Sequence, residues 1–204
     1  FFITAILYSS VGFGGGSTYL ALLLIWEIPY YIFPVIALLC NIIVVSGNSF
    51  NYIRAGNYNF KLLYPFLIGS IPFAFFGGTL KIEKDMFEIL LFFVLLIAGL
   101  LLLSNNKTYK KDEMKIKKIN FLISFSIGSM LGLISGIVGI GGGIFLSPIL
   151  FLLQAEKPRI IATTASLFIL INSISGVIGQ FSKENVINNL ISYWPLFLTV
   201  LIGG

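Results

Sequence analysis

Apolar stretches separated by short polar punctuation divide the chain into segments at about residues 1–11, 12–26, 31–53, 61–80, 86–104, 119–137, 139–153, 159–181 and 189–204. A helix needs about 20 apolar residues to cross a bilayer, so several of these segments predict one crossing each. The run from Ile119 to Leu153 is too long for one crossing, and Gly139-Ile140-Gly141-Gly142-Gly143 cuts it. It predicts a helix, a break and a shorter helix. Gly12-Phe13-Gly14-Gly15-Gly16 cuts the first apolar run in the same way. Consecutive glycines carry a large backbone-entropy cost in a helix. In lipid the amide groups freed by a break must be buried in protein or face a polar cavity.

The pattern repeats beyond the glycines. Pro29 and Pro158 follow the two short helices, Ser46-Gly47 and Ser175-Gly176 fall within the next ones, and each copy then reaches a glycine pair, Gly77-Gly78 in the first half and Gly203-Gly204 in the second. The expected fold is an all-α polytopic membrane protein of two homologous halves with helices broken at the glycine motifs. Residues 1–104 form the first transmembrane repeat, 105–118 a basic linker and 119–204 the second repeat. The chain opens at Phe1 inside an apolar run and stops at Gly204 inside another. The expectation is that both ends are cut within membrane segments and that at least one helix is missing.

Charge supplies the orientation. Six Lys against Asp112 and Glu113 mark residues 105–118 as cytoplasmic. Two topologies then compete. If each glycine break is a bend within one crossing, the halves are parallel. If each is a hairpin, the halves are inverted. In the hairpin arrangement the Arg54/Lys61 and Lys157/Arg159 loops both lie inside, and the loops holding Glu27, Lys81 to Glu88, and Lys183/Glu184 lie outside. The positive-inside rule favours the inverted repeat.

Composition agrees with a bilayer as solvent: 57% of the 204 residues are hydrophobic and 10% charged, with a mean hydropathy of +1.00. The net charge of +5 gathers in the linker and reads as topology, with no nucleic-acid partner implied. There is no His, and Cys40 is the single cysteine, so no metal site, cofactor site or disulfide is expected. All eight acidic residues lie in loops or at span ends, leaving the membrane interior without the carboxylate of a proton relay. An intramembrane enzyme would need a nucleophile with a base, paired carboxylates or a metal set, and none is available.

The interior does offer amide, hydroxyl and exposed backbone groups, which suit an anion held at helix N-termini. Candidate substrate-binding residues are Gly14, Gly15, Gly16, Ser17 and Thr18 in the first half, and Gly141, Gly142 and Gly143 in the second. Asn41, Thr163, Thr164, Ser166 and Asn172, with Asn48 and Ser175, could line a polar path. Two broken helices at matching places point to a transporter's binding site. Close helix packing is the competing reading of the same glycines. Tyr30, Tyr31, Tyr193 and Trp194 read as interfacial anchors, and Gly69, Gly77 and Gly78 as packing glycines.

Gly139 to Gly143, followed by Pro148 and Ala162-Thr163-Thr164-Ala165-Ser166-Leu167, resembles the TauE/SafE sulfite exporter family. Gly12 to Gly16 with Tyr52-Ile53-Arg54-Ala55-Gly56-Asn57 is similar to that family's first repeat. The resemblance implies a cell (inner) membrane transporter exporting sulfite or a related sulfur-containing or organic anion. The partners would be a small anionic substrate and the lipid bilayer, and the oligomeric state stays open. Uptake of such an anion and a non-transporting scaffold subunit are the alternatives. The first repeat departs where Ala21 stands for Pro148, and Val35 and Ala37 for Thr164 and Ser166, so polar contributions from that strip would be unequal.

Overall fold

The computed structural model describes residues 1–26, 28–104, 116–183, 186 and 190–204. Most of the predicted linker, and Glu27 and Glu184, lie outside the described residues. Among those residues the chain is helical: α1 (Phe2–Val11), α2 (Gly16–Ile25), α3 (Phe33–Arg54), α4 (Phe60–Thr79), α5 (Lys84–Ser104), α6 (Phe121–Val138), α7 (Gly143–Leu152), α8 (Pro158–Phe181) and α9 (Trp194–Gly203), with one 3₁₀ turn before α3 and another before α9. Among the described residues four helices are long and apolar enough to cross a membrane: Tyr30–Arg54 with its leading 3₁₀ turn, α4, α6 and α8. Leu7, Phe76, Phe92, Leu122 and Ile202 are among many large apolar side chains on the outer surface. That is the composition of a protein solvated by lipid.

Local signals set the helix ends. Asn59 and Asn120 cap α4 and α6, accepting from the Leu62 and Leu122 amides at 3.2 and 3.1 Å. Pro34 and Pro158 sit in the first turns of α3 and α8, where a missing N–H costs nothing. Helices α1 and α6 stop at Gly12 (φ 87°) and Gly139 (φ 92°), both left-handed.

The tightest packing joins α4 to α6, which run parallel. Gly128, Gly132 and Gly136 meet the backbone of Phe66, Ser70 and Ala74 in turn. The four-residue spacing lets the two backbones touch. Helix α8 runs parallel to α4 on another side, with the Ser175 hydroxyl donating to Ile71 O at 2.7 Å and Gly179 against Phe75. Helices α3 and α8 are antiparallel. Leu38, early in α3, meets Gly176, late in α8, whereas Ser49, late in α3, bonds Ser166, early in α8, at 3.0 Å.

Three connections gather at one end of the molecule. Asn59 before α4 donates to Glu156 between α7 and α8 at 3.0 Å. The Lys117 amide, just ahead of α6, donates to Gln154 O at 3.1 Å. Helix α6 therefore leaves this end and α7 returns to it, so that α6 and α7 form a hairpin with residues 139–142 at its turn. Arg54, Lys61, Lys117, Lys118, Lys157 and Arg159 all lie at or next to these connections; this is the basic end. In the first half, Phe1 stacks on Tyr19 and Trp26 at 4.9 and 5.9 Å, so α1 and α2 also fold back on each other. Their hairpin points the opposite way.

Candidate functional site

The two hairpin turns enter from opposite ends and converge on one side chain. Gly12 lies against Tyr52 near the basic end of α3, and Gly139 against Pro34 at its far end. Between them, in the middle of α3, stands Asn41, fully buried. A methyl group placed on Gly16 would lie 2.7 Å from Asn41 Nδ2, and one on Gly141 would lie 2.9 Å from the same atom. Gly14 is closer still to Asn41 Oδ1. Only bare backbone fits on the Asn41 side of either turn. Asn41 Nδ2 donates to Ile140 O at 3.1 Å, tying the first half to the second turn, while Oδ1 has no partner among the described residues.

The turns leave many amides unpaired. Gly14, Gly15, Gly16 and Ser17 donate to no acceptor among the described residues, nor do Ile140, Gly141, Gly142, Gly143 and Ile144. All are buried except Ser17 and Ile144, which are half-buried. A buried orphan amide costs about 1–3 kcal/mol, and both turns gather several of them. Helices α2 and α7 begin here, at Gly16 and Gly143. Both positive dipole ends thus point into the same neighbourhood.

The other candidates divide into those near this centre and those occupied elsewhere. Gly15 caps α2 beside Thr4, Tyr8 and Tyr19, Gly142 caps α7 beside Phe168, and Gly143 packs on Ile169. The Thr18 hydroxyl pairs with Tyr8 at 2.8 Å, and Ser17 is half-buried on the first turn of α2. Thr163 and Thr164 donate back to Arg159 O and Ile160 O of their own helix, at 2.9 and 2.8 Å. Ser166 is held by Ser49, and Asn172 Nδ2 by Phe168 O at 2.9 Å. All four are buried, none is among the atoms nearest the glycines of the two turns, and Asn172 Oδ1 has no partner among the described residues. Ser173 is closer: its Oγ would lie 3.1 Å from a methyl on Gly141 and has no partner among the described residues. Sequence reasoning passed over Ser173, because a serine beside Asn172 carries no mark of which helix face turns inward. Among the described residues no three His, Cys, Asp or Glu side chains gather to hold a metal.

The profile of the family described as "Sulfite exporter TauE/SafE" matches residues 1–204. The chain belongs to this family. It is 25% identical over its whole length to a probable membrane transporter protein of Sinorhizobium fredii, covering 82% of that protein. It is 31% identical to a probable membrane transporter protein of Methanocaldococcus jannaschii over 90% of this chain and 70% of that one. A probable membrane transporter protein of Xylella fastidiosa is 28% identical over 94% of the chain and 74% of its own length. No solved structure matches. Family and relatives together make this a multi-pass membrane transporter, and they point away from an enzyme.

Proposed function

We propose that the chain exports a small anion, sulfite or a related sulfur oxyanion or organosulfonate, through a site at the two glycine turns. One observation carries this reading: two sets of buried, unpaired amides and two helix N-termini converge on Asn41. Such groups attract negative charge without a lysine or arginine in the membrane. The description of the matched family supplies the sulfur oxyanion. The halves form an inverted repeat, which is supported by antiparallel α3 and α8 and by the oppositely directed hairpins. The basic end is the cytoplasmic one, supported by its six Lys and Arg residues. In the conformation described, Gly14, Gly16 and Gly141 close on Asn41, which corresponds to a shut site; exposure to either side requires the Asn41–Ile140 contact to open.

The same closeness would serve a scaffold whose glycines only pack helices. Ligand-dependent stabilisation separates the two. Purified protein is melted with sulfite, sulfate, thiosulfate, sulfoacetate and simple carboxylates in turn. A true ligand stabilises by about 2.7 kcal/mol at a hundred times its dissociation constant. A melting temperature unmoved by every anion refutes the anion site.

A further inference from the structure

A second feature lies at the end of the molecule opposite the basic end. A cavity of about 340 Å³ opens among the starts of α3 and α5 and the ends of α4, α6 and α8, lined by Tyr30, Pro34, Lys81, Phe87, Ile137 and Lys183 among others. Both charged residues on its wall are lysines, and among the described residues no acidic side chain lines it. Lys183 is half-buried and is held in place: its Nζ donates to Gln180 Oε1 at 2.9 Å, and Gln180 Nε2 donates to Gly136 O at 2.7 Å. Gln180 is itself fully buried. The ammonium is thereby anchored to the last turn of α6, directly ahead of the second glycine turn.

The floor of the cavity is also the back of that turn. Pro34 and Ile137 line it, and a methyl on Gly139 would lie 2.5 Å from Pro34 Cα. Two like charges facing one hollow repel each other, and partial burial adds to the cost at Lys183. A small anion between them relieves both. Among the described residues the acids nearest Lys81 along the chain are engaged or turned out: Glu88 pairs with Lys84 at 3.7 Å, and Glu83 and Asp85 are exposed; Glu184, next to Lys183, lies outside the described residues.

The geometry points to this cavity as a second anion site, an outer anteroom in which Lys81 and Lys183 together hold a free oxyanion one step beyond the glycine turns. The role in transport rests on the transporter reading above; the binding does not. A lipid phosphate offers the same chemistry to two lysines at a membrane surface, and the experiment separates the two sources.

Full-length protein in phosphatidylcholine nanodiscs is acylated with an amine-specific reagent, and modification is read at each lysine by mass spectrometry. Sodium sulfate is the probe, against sodium gluconate at equal ionic strength. Sulfate should protect Lys81 and Lys183 and leave Lys84 unchanged. The variants Lys81→Gln and Lys183→Gln should each abolish protection of the remaining lysine, and Asn41→Leu should leave protection of both intact. In proteoliposomes the double variant should raise KM about fivefold for anion presented from the cavity side and hold kcat. Equal modification with sulfate and gluconate overturns the anteroom even if transport is normal. Protection appearing with phosphatidylglycerol alone, and unmoved by sulfate, assigns the cavity to a lipid headgroup and also overturns it. Protection by sulfate in a protein that moves no anion keeps the anteroom and refutes only the transporter reading.

Discussion

Asn41 carries the most weight for its size. Its amide is in contact with both glycine turns, and its hydrogen bond to Ile140 O ties the first half to the second turn. Asn41→Leu keeps the volume and removes the donor, leaving a buried carbonyl unpaired at a cost of about 1–3 kcal/mol. Asn172→Leu is the matched control, because Asn172 Nδ2 bonds only within its own helix. Thermal unfolding in detergent should show the larger loss for Asn41→Leu, which alone should also lose its response to sulfite. Equal losses with both responses intact would remove Asn41 from the site. Lys183 yields a prediction of a different kind. Burial, then the charge of Lys81, brings its pKa from 10.5 down to about 8. The groups facing it are Lys81 across the cavity, the Tyr30 and Tyr31 rings and Gln180, with Glu184 next in the chain outside the described residues. An oxyanion prefers the ammonium form, so sulfate protection should be full below pH 8 and fade as pH rises through it. Lys183→Arg, charged throughout this range, should flatten the profile, and an identical profile in that variant would acquit Lys183.

At the scale of elements, glycines of the same composition do different work, and substitution should sort them. Gly139 ends α6 in the left-handed region, where an L side chain costs about 1–2 kcal/mol, and its methyl would also strike Pro34. Gly47 lies on α3 with nothing within 4 Å, so an alanine there gains up to about 1 kcal/mol of helix propensity. Gly139→Ala should lower the melting temperature and Gly47→Ala should hold or raise it; shifts of the same sign would contradict the turn geometry. This contrast also explains what the sequence could tell. The apolar stretches at 12–26 and 139–153 correspond to α2 at 16–25 and α7 at 143–152, because glycine clusters and hydropathy act locally. Which polar groups meet was not legible. Helix α8 is buried nearly all round, so Thr163, Thr164, Ser166, Asn172 and Ser173 have no polar face to betray their direction, and tertiary packing alone decides that Ser173 approaches Gly141. The Lys81/Lys183 pair was illegible for a related reason: the two lie 102 positions apart and meet only because α4 and α8 run parallel and end level.

Over the whole molecule, the opposed hairpins make topology and energetics one question. If the basic end faces the cytoplasm, Lys110→Cys and Lys157→Cys on a Cys40→Ala background should both be shielded from an impermeant thiol reagent in intact cells, and Lys84→Cys should react. Labelling at 157 with 110 protected would require parallel halves. The same orientation places the anteroom outside and leaves the described membrane interior free of carboxylates that could couple protons. For an anion that moves passively, the membrane potential is the driving force. An inside-negative potential favours outward movement of an anion by about 2.3 kcal/mol per charge per 100 mV. That corresponds to a gradient of roughly fiftyfold at equilibrium, enough to clear a toxic oxyanion without a coupling ion. In proteoliposomes clamped with valinomycin and a potassium gradient, sulfite efflux should therefore rise as the interior becomes more negative, for wild type and for Lys81→Gln alike, since the lysines set affinity at the outer mouth and the field acts across the glycine turns. Efflux indifferent to voltage but driven by a pH gradient would reject passive movement and require that a proton leave with the anion.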